Sequence, residues 1–290
     1  MNKNQKTNLL NPTKKSNEFI QTPFNYTGSK YKLLPQLVSK FDYRKSSFVD
    51  VFTGGGSVYT NVLDSYNEVY INDVILPLID IHKQLISRGQ SFVDEVKKYC
   101  VAKDDALGYM VLRKEFNATK DSARLFALML CCTNNMMRFN KKFEFNQTFG
   151  KRSFNDSTER KITEFLSHVQ PRANKINFMS KDFYLVKPND ISNSFFYLDP
   201  PYFNTEAGYN AYWSNSHEEK LYNYIKDIAS NGASFAISGV MGNHKGKVES
   251  PVLSKLKADG YNIVELDFDY NKVSKNKDAE QGVEVLITNY

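Results

Sequence analysis

The feature that most constrains the fold is the run Ser194-Phe195-Phe196-Tyr197-Leu198-Asp199-Pro200-Pro201-Tyr202. Four consecutive apolar or aromatic residues read as a buried strand. The double proline forbids both further ladder hydrogen bonds and an immediate helix, which puts Asp199 at the strand's C-terminal mouth. In open α/β sheets that mouth is where ligands bind.

The residues at this mouth suit one kind of chemistry. The amino group of a nucleobase is a poor nucleophile because its lone pair is delocalised into the ring, and two acceptors placed against its hydrogens pull it towards a tetrahedral geometry. Asp199 offers a carboxylate. Pro200 has no amide hydrogen but keeps its carbonyl as a second acceptor, with Pro201 holding the turn rigid. Tyr202 offers an aromatic face for a base drawn out of its stack. The plain alternative is a solvated turn after a core strand.

The chain has 290 residues, 41% hydrophobic and 24% charged, enough for one large α/β core with an inserted subdomain. Its net charge of +6 allows a polyanionic partner without demonstrating one. Cys100, Cys131 and Cys132 have neither zinc nor disulfide-framework spacing, so no metal is expected and a reducing cytoplasm fits. No apolar run approaches the roughly 18 residues needed to span a bilayer, and no signal peptide is evident.

Residues 1–22, rich in Asn, Lys, Gln and Thr, read as a disordered basic tail. Phe24-Asn25-Tyr26-Thr27-Gly28-Ser29-Lys30 then turns into a helical pattern through Leu33, Leu34, Leu37, Val38 and Phe41. Ser47 to Val58 reads as a strand carrying Asp50 and Phe52, a loop with Gly54, Gly55 and Gly56, and a helix start. Three glycines let the backbone approach a ligand closely. A second strand, Val69 to Asp73, ends in an acid 19 residues beyond Gly54, the spacing at which a carboxylate reaches ribose hydroxyls. The dinucleotide fingerprint needs Gly or Ala where Tyr59 stands, which disfavours a pyrophosphate and favours S-adenosylmethionine, a nucleoside without phosphate.

From Ile75 to about Met137 the pattern is helical, with apolar stripes at Leu76, Ile79, Leu85 and Ile86, at Leu107, Met110, Val111 and Phe116, and from Ala123 to Leu130, all expected in the core. Arg138 to Arg152 holds five basic residues and one acid, interleaved with Phe139, Phe143, Phe145 and Phe149. This alternation suggests a hairpin with cations for phosphates and aromatics for a groove or a base step, or else a surface hairpin with an apolar underside. A helix through Ile162 and Val169 leads back to the Asp199 strand. Beyond it, residues 206–215 read as a flap, followed by a helix at 217–230, a strand at 233–240, a helix at 251–259, and strands at 261–268 and 283–288.

Taken in this order, the glycine motif, the Arg-Phe-Asn hairpin and Asp-Pro-Pro-Tyr resemble the Dam-type (D12 class) DNA adenine methyltransferases of the alpha group, with more likeness to the T-even phage branch than to the enterobacterial one. The resemblance runs from Phe24 to Tyr290. It implies a Rossmann-like α/β catalytic domain, residues 23–74 and 185–290, that binds S-adenosyl-L-methionine, and a mainly helical DNA-recognition subdomain, 75–184, carrying a β-hairpin. By position it makes Tyr26, Lys30, Asp50, Phe52, Gly54, Gly56, Asp73 and Asp199 cofactor residues, and Asp199, Pro200, Pro201 and Tyr202 the catalytic motif. For duplex DNA it points to Asn135, Met136, Arg138 as a guanine reader, Asn140, Lys141, Lys142, Asn146 and Lys151. Methylation of adenine within GATC is implied. Separately, the sequence shows no coiled coil or obvious dimer stripe, so the expectation is a cytoplasmic protein that is a monomer in solution and can pair on DNA. Phe143 and Thr148 depart from the glycine and proline usual in the family's hairpin.

Other readings remain open at this level. A cytosine-5 enzyme would need a Pro-Cys nucleophile, and no proline here precedes a cysteine. A restriction-modification methyltransferase with another recognition sequence, a catalytically silent DNA-binding regulator, and an RNA or protein methyltransferase would each share much of the pattern.

Overall fold

The computed structural model describes residues 18–201, 213–242, 250–267 and 283–290. Tyr202 and most of the expected flap lie outside them. The centre is one seven-stranded sheet made of β1 (Ser47–Asp50), β2 (Glu68–Asn72), β3 (Ile176–Met179), β4 (Ser194–Leu198), β5 (Ser234–Met241), β6 (Asn262–Leu266) and β7 (Val283–Thr288). The strand order is β3-β2-β1-β4-β5-β7-β6; β7 is antiparallel to both its neighbours and the other pairings are parallel. The order reverses between β1 and β4, so the crevice over their C-terminal ends is the switch point of the sheet.

Strand periodicity divides the interior into two layers. Phe48, Phe195 and Tyr197 pack with one core cluster on one face, whereas Val49, Phe196 and Leu198 belong to the cluster on the other. The first layer receives α1 (Leu34–Val38), α2 (Ser57–Val62), α3 (Leu76–Arg88) and α7 (Asp156–Val169); the second receives α8 (Asn215–Ser230) and α9 (Pro251–Ala258). Between α3 and α7 the chain adds α4 (Gln90–Tyr99), α5 (Ala106–Thr119) and α6 (Ser122–Cys131), a helical insertion centred on α6, whose Leu125 to Met129 are completely buried.

Several expectations need correction. Of the expected tail, residues 1–17 lie outside the described residues, while Phe19 and Ile20 are anchored: Phe19 is buried, Asn61 bonds both the amide and the carbonyl of Ile20, and the Tyr31 hydroxyl donates to the Phe19 carbonyl. The chain rejoins the sheet at Ile176, where β3 pairs with β2, so the insertion ends before residue 184. In α5 the stripe Leu107, Met110 and Val111 is 76%, 55% and 56% exposed, and the buried face is Tyr109, Leu112 and Phe116. Leu76, at the start of α3, is likewise exposed.

Candidate active site

The same periodicity that sorts the core aims the site. On β1, Asp50 follows Phe48; on β4, Asp199 follows Tyr197; on β5, Ser238 follows Ala236, which pairs with Tyr197. The three polar residues therefore share one sheet face at the carboxyl ends of adjacent strands. Asp50 and Asp199 border a cavity of about 590 Å³ whose lining also includes Tyr26, Lys30, Phe52, Gly54, Asp73, Phe183, Pro200 and Pro201.

Asp199 is held rigidly. Lys30 Nζ lies 2.7 Å from its Oδ1, and the Ser238 hydroxyl donates to the same oxygen at 3.1 Å. The Tyr197 hydroxyl, completely buried beneath, donates to Ser238 Oγ at 2.9 Å. Lys30 also stands 3.9 Å from Glu284 on β7, a partner that sequence reasoning missed because 254 residues separate the two. Burial by itself would lower the Lys30 pKa; the charges of Asp199 and Glu284 outweigh it and hold the ammonium above the usual lysine range.

The glycine loop is clasped from two sides. Gly54 has φ +49° and Gly56 has φ +78°, left-handed backbone that glycine adopts without strain. The ring of Tyr26 covers one side, leaving a Cβ on Gly54 only 2.6 Å from Tyr26 Cε1 and one on Gly55 2.6 Å from Tyr26 Cβ. The Gly54 amide donates to Asp73 Oδ2 at 3.0 Å, and the Ile75 amide to Asp73 Oδ1 at 3.0 Å. Asp73 is thereby fixed at the end of β2 with its carboxylate on the cavity. Its burial pushes its pKa up to about 6. Asp50 is raised well above the carboxylate range by burial and by the nearby Asp199 and Asp73 charges.

On the other side of the loop is His82 of α3, which the sequence reading passed over although it continues the buried Ile79–Leu85 face. It accepts the Tyr59 hydroxyl at Nδ1 and donates from Nε2 to the Gly54 carbonyl, both at 3.0 Å.

The basic segment forms an antiparallel loop with isolated bridges at Phe139–Phe145 and Cys132–Phe149, rather than two regular strands. Phe139 and Phe145 are buried against Phe116 of α5, which matches an apolar underside and not base-stepping wedges. Phe143, at φ +59°, stacks on Phe139 at 5.1 Å, and both rings line the cavity. Arg138 is braced by two bonds to Asn146, from Nε to its side chain and from Nη2 to its carbonyl. Asn135 caps α6 by donating to the Met129 and Leu130 carbonyls, and Asn140 closes the tip by accepting the Lys142 and Glu144 amides. Met136 is half-buried, while Lys141, Lys142 and Lys151 project into solvent.

A doubly wound sheet with an acid-terminated switch point, a clasped glycine loop and a ribose-spaced acid defines a Rossmann-like methyltransferase. A family model of the D12 class N6 adenine-specific DNA methyltransferases matches residues 26–271, and the chain belongs to that family. Membership implies S-adenosyl-L-methionine as the methyl donor. Among its relatives, the modification methylase StsI of Streptococcus sanguinis is 30% identical over 289 residues, which are 94% of this chain and 43% of that protein. The type II methyltransferase M.FokI of Planomicrobium okeanokoites is also 30% identical, over 95% of this chain and 44% of its own length. The DNA adenine methylase of Salmonella typhi is 27% identical over 80% of this chain and 82% of itself. The chain thus spans less than half the length of the first two relatives.

Proposed function

We propose that this chain transfers a methyl group from S-adenosyl-L-methionine to N6 of an adenine turned out of duplex DNA, within GATC. One observation carries the reading: Asp199 and Pro200, the glycine loop and Asp73 all open onto a single cavity. When bound, S-adenosyl-L-methionine supplies a methyl group on a sulfonium, a leaving group that needs no activation.

The protein's own work is positioning, which in favourable cases is worth roughly 7–11 kcal/mol. Asp73 takes the ribose hydroxyls, Tyr26 and Phe52 wall the cofactor cleft, and the buried Asp50 faces it. Lys30 and Ser238 pin Asp199 by Oδ1, so that Oδ2 and the Pro200 carbonyl accept the two amino hydrogens of adenine. These acceptors stabilise the positive charge that grows on N6, and the surplus proton passes to water after transfer. Tyr202 is assigned the aromatic face beside the extruded base on sequence alone.

The basic loop joins recognition to chemistry. Its tip lysines, Lys141 and Lys142, with Lys151 at its base, suit phosphates; Arg138, held in orientation by Asn146, suits a guanine edge. Phe139 and Phe143 bring the same loop to the rim of the catalytic cavity.

A second reading is favoured by particular observations: the two relatives at 30% identity are modification methylases, and Phe143 replaces the hairpin glycine usual in Dam-type enzymes. In that case the chemistry stands and the recognition sequence differs. Base-resolution mapping of methyladenine in a plasmid from a methylation-free host expressing the chain separates them. Methylation confined to GATC supports the first reading, another sequence supports the second, and no methyladenine refutes both.

A further inference from the structure

His82 lies at the meeting point of three structures that the cofactor reading needs, yet it does not line the cavity. It is completely buried in α3, and both ring nitrogens are engaged. A carbonyl oxygen can only accept, so Nε2 carries the proton towards Gly54 and Nδ1 is the acceptor of the Tyr59 O–H. Gly54 is consequently held at both backbone groups, its carbonyl by His82 and its amide by Asp73.

The ring also fills space. A Cβ on Gly56 would fall 2.7 Å from His82 Cε1 and against Tyr59 Cε1, so the two rings form a floor under the loop while Tyr26 covers it from above. Phe24 places its ring edge-on to His82 at 5.4 Å, tying this floor to the segment that carries Tyr26.

We propose that His82, with Tyr59, is a positioning residue for cofactor binding: it locks the Gly54 peptide and thereby sets where the Asp73 carboxylate meets the ribose. The inference rests on the methyltransferase reading above. It also makes α3, the first helix after β2, a structural link between the helical insertion and the cofactor cleft. Removing the imidazole frees a buried carbonyl and lets a left-handed glycine relax, which weakens the ground-state site without touching the reacting atoms.

The test uses the whole chain. Calorimetric titration with S-adenosyl-L-methionine in the absence of DNA is expected to give a dissociation constant at least tenfold weaker for His82→Phe and about threefold to tenfold weaker for Tyr59→Phe. At saturating cofactor, kcat is expected to fall by less than threefold. Nitrogen chemical shifts of the wild-type imidazole are expected to show the Nε2–H tautomer with Nδ1 unprotonated. Wild-type affinity in a folded His82→Phe or Tyr59→Phe variant, a loss confined to kcat, or the Nδ1–H tautomer overturns the inference alone. Failure of the wild type to bind the cofactor overturns it together with the function on which it rests.

Discussion

The buried ammonium of Lys30 lies 2.7 Å from the Asp199 carboxylate. With side chains 5% and 18% exposed, the two form a shielded ion pair at the mouth of β4, and Glu284 adds a second carboxylate to the same cation. The arrangement fixes the orientation of Asp199, leaving Oδ2 on the side away from the ammonium for use as an acceptor. Replacing Lys30 with Met, which has a similar shape, leaves both acids without their ammonium. The expected loss is about 3 kcal/mol, the lower end of the range for breaking a buried pair because Asp199 is partly exposed. Urea denaturation measures it, and unchanged stability would contradict the assigned geometry.

Cofactor affinity is expected to depend on pH through Asp73. Its pKa of about 6 is above the ordinary carboxylate value, so the group gains a proton as pH falls through 6 and becomes a weaker, uncharged acceptor for the ribose hydroxyls. Binding of S-adenosyl-L-methionine should therefore be flat above pH 7 and roughly tenfold weaker at pH 5. The same shift acts oppositely on folding: the folded state holds the proton to higher pH, so its contribution to stability declines as pH rises from about 4 to about 6. Asp73→Asn should remove this inflection. An inflection near pH 6 that survives Asp73→Asn would rule out Asp73 as its source.

Gly56→Ala tests the clasp on the loop. The left-handed φ of +78° costs an L residue about 1–2 kcal/mol, and the added methyl meets Tyr59 and His82, both fully buried and unable to withdraw. A total loss of roughly 2–4 kcal/mol in unfolding free energy is expected, with weaker cofactor binding in whatever remains folded. Thermal unfolding and calorimetry report the two effects separately.

Within the basic loop, charge and scaffold are expected to separate. Changing Lys141, Lys142 and Lys151 together to Ala should weaken DNA binding and make its salt dependence shallower by roughly 2–3 units of log K per log salt, while cofactor binding without DNA is unaffected. Asn135→Ala should act otherwise, lowering stability by about 1 kcal/mol because two carbonyls at the end of α6 lose their donor. Fluorescence-anisotropy titrations at several salt concentrations, paired with denaturation curves, distinguish them.

The sheet was legible where the signal is local. The β4 strand with Asp199 at its end, the glycine loop with Asp73, and β7 follow from runs of apolar residues stopped by proline, glycine or acid. Strand β3 was not, because a four-residue edge strand has only one well-buried position, Ile176. Helix α5 carries two apolar faces, one on Leu107, Met110 and Val111 and one on Tyr109, Leu112 and Phe116, and its pattern does not say which meets α6. Within the site, Lys30, Asp50 and Asp199 were recognisable from their motifs. Glu284 and His82 were not, since a carboxylate in a C-terminal strand and a histidine on a core-facing helix announce their partners only when the chain is folded. The loop's aromatic residues were read correctly as alternating but needed the packing against Phe116 to show that Phe139 and Phe145 face inward.

Asp199 is proposed to direct methyl transfer from S-adenosyl-L-methionine to adenine in DNA. The most direct test incubates the purified chain with methyl-labelled cofactor and duplex DNA, for the wild type and for Asp199→Asn, and follows label into N6-methyladenine alongside cofactor binding. The expected result is labelled methyladenine from the wild type and a loss of at least a thousandfold in the variant, with cofactor binding retained. Comparable transfer by Asp199→Asn would remove Asp199 from that role, and label recovered in a product other than methyladenine would rule out adenine as the acceptor.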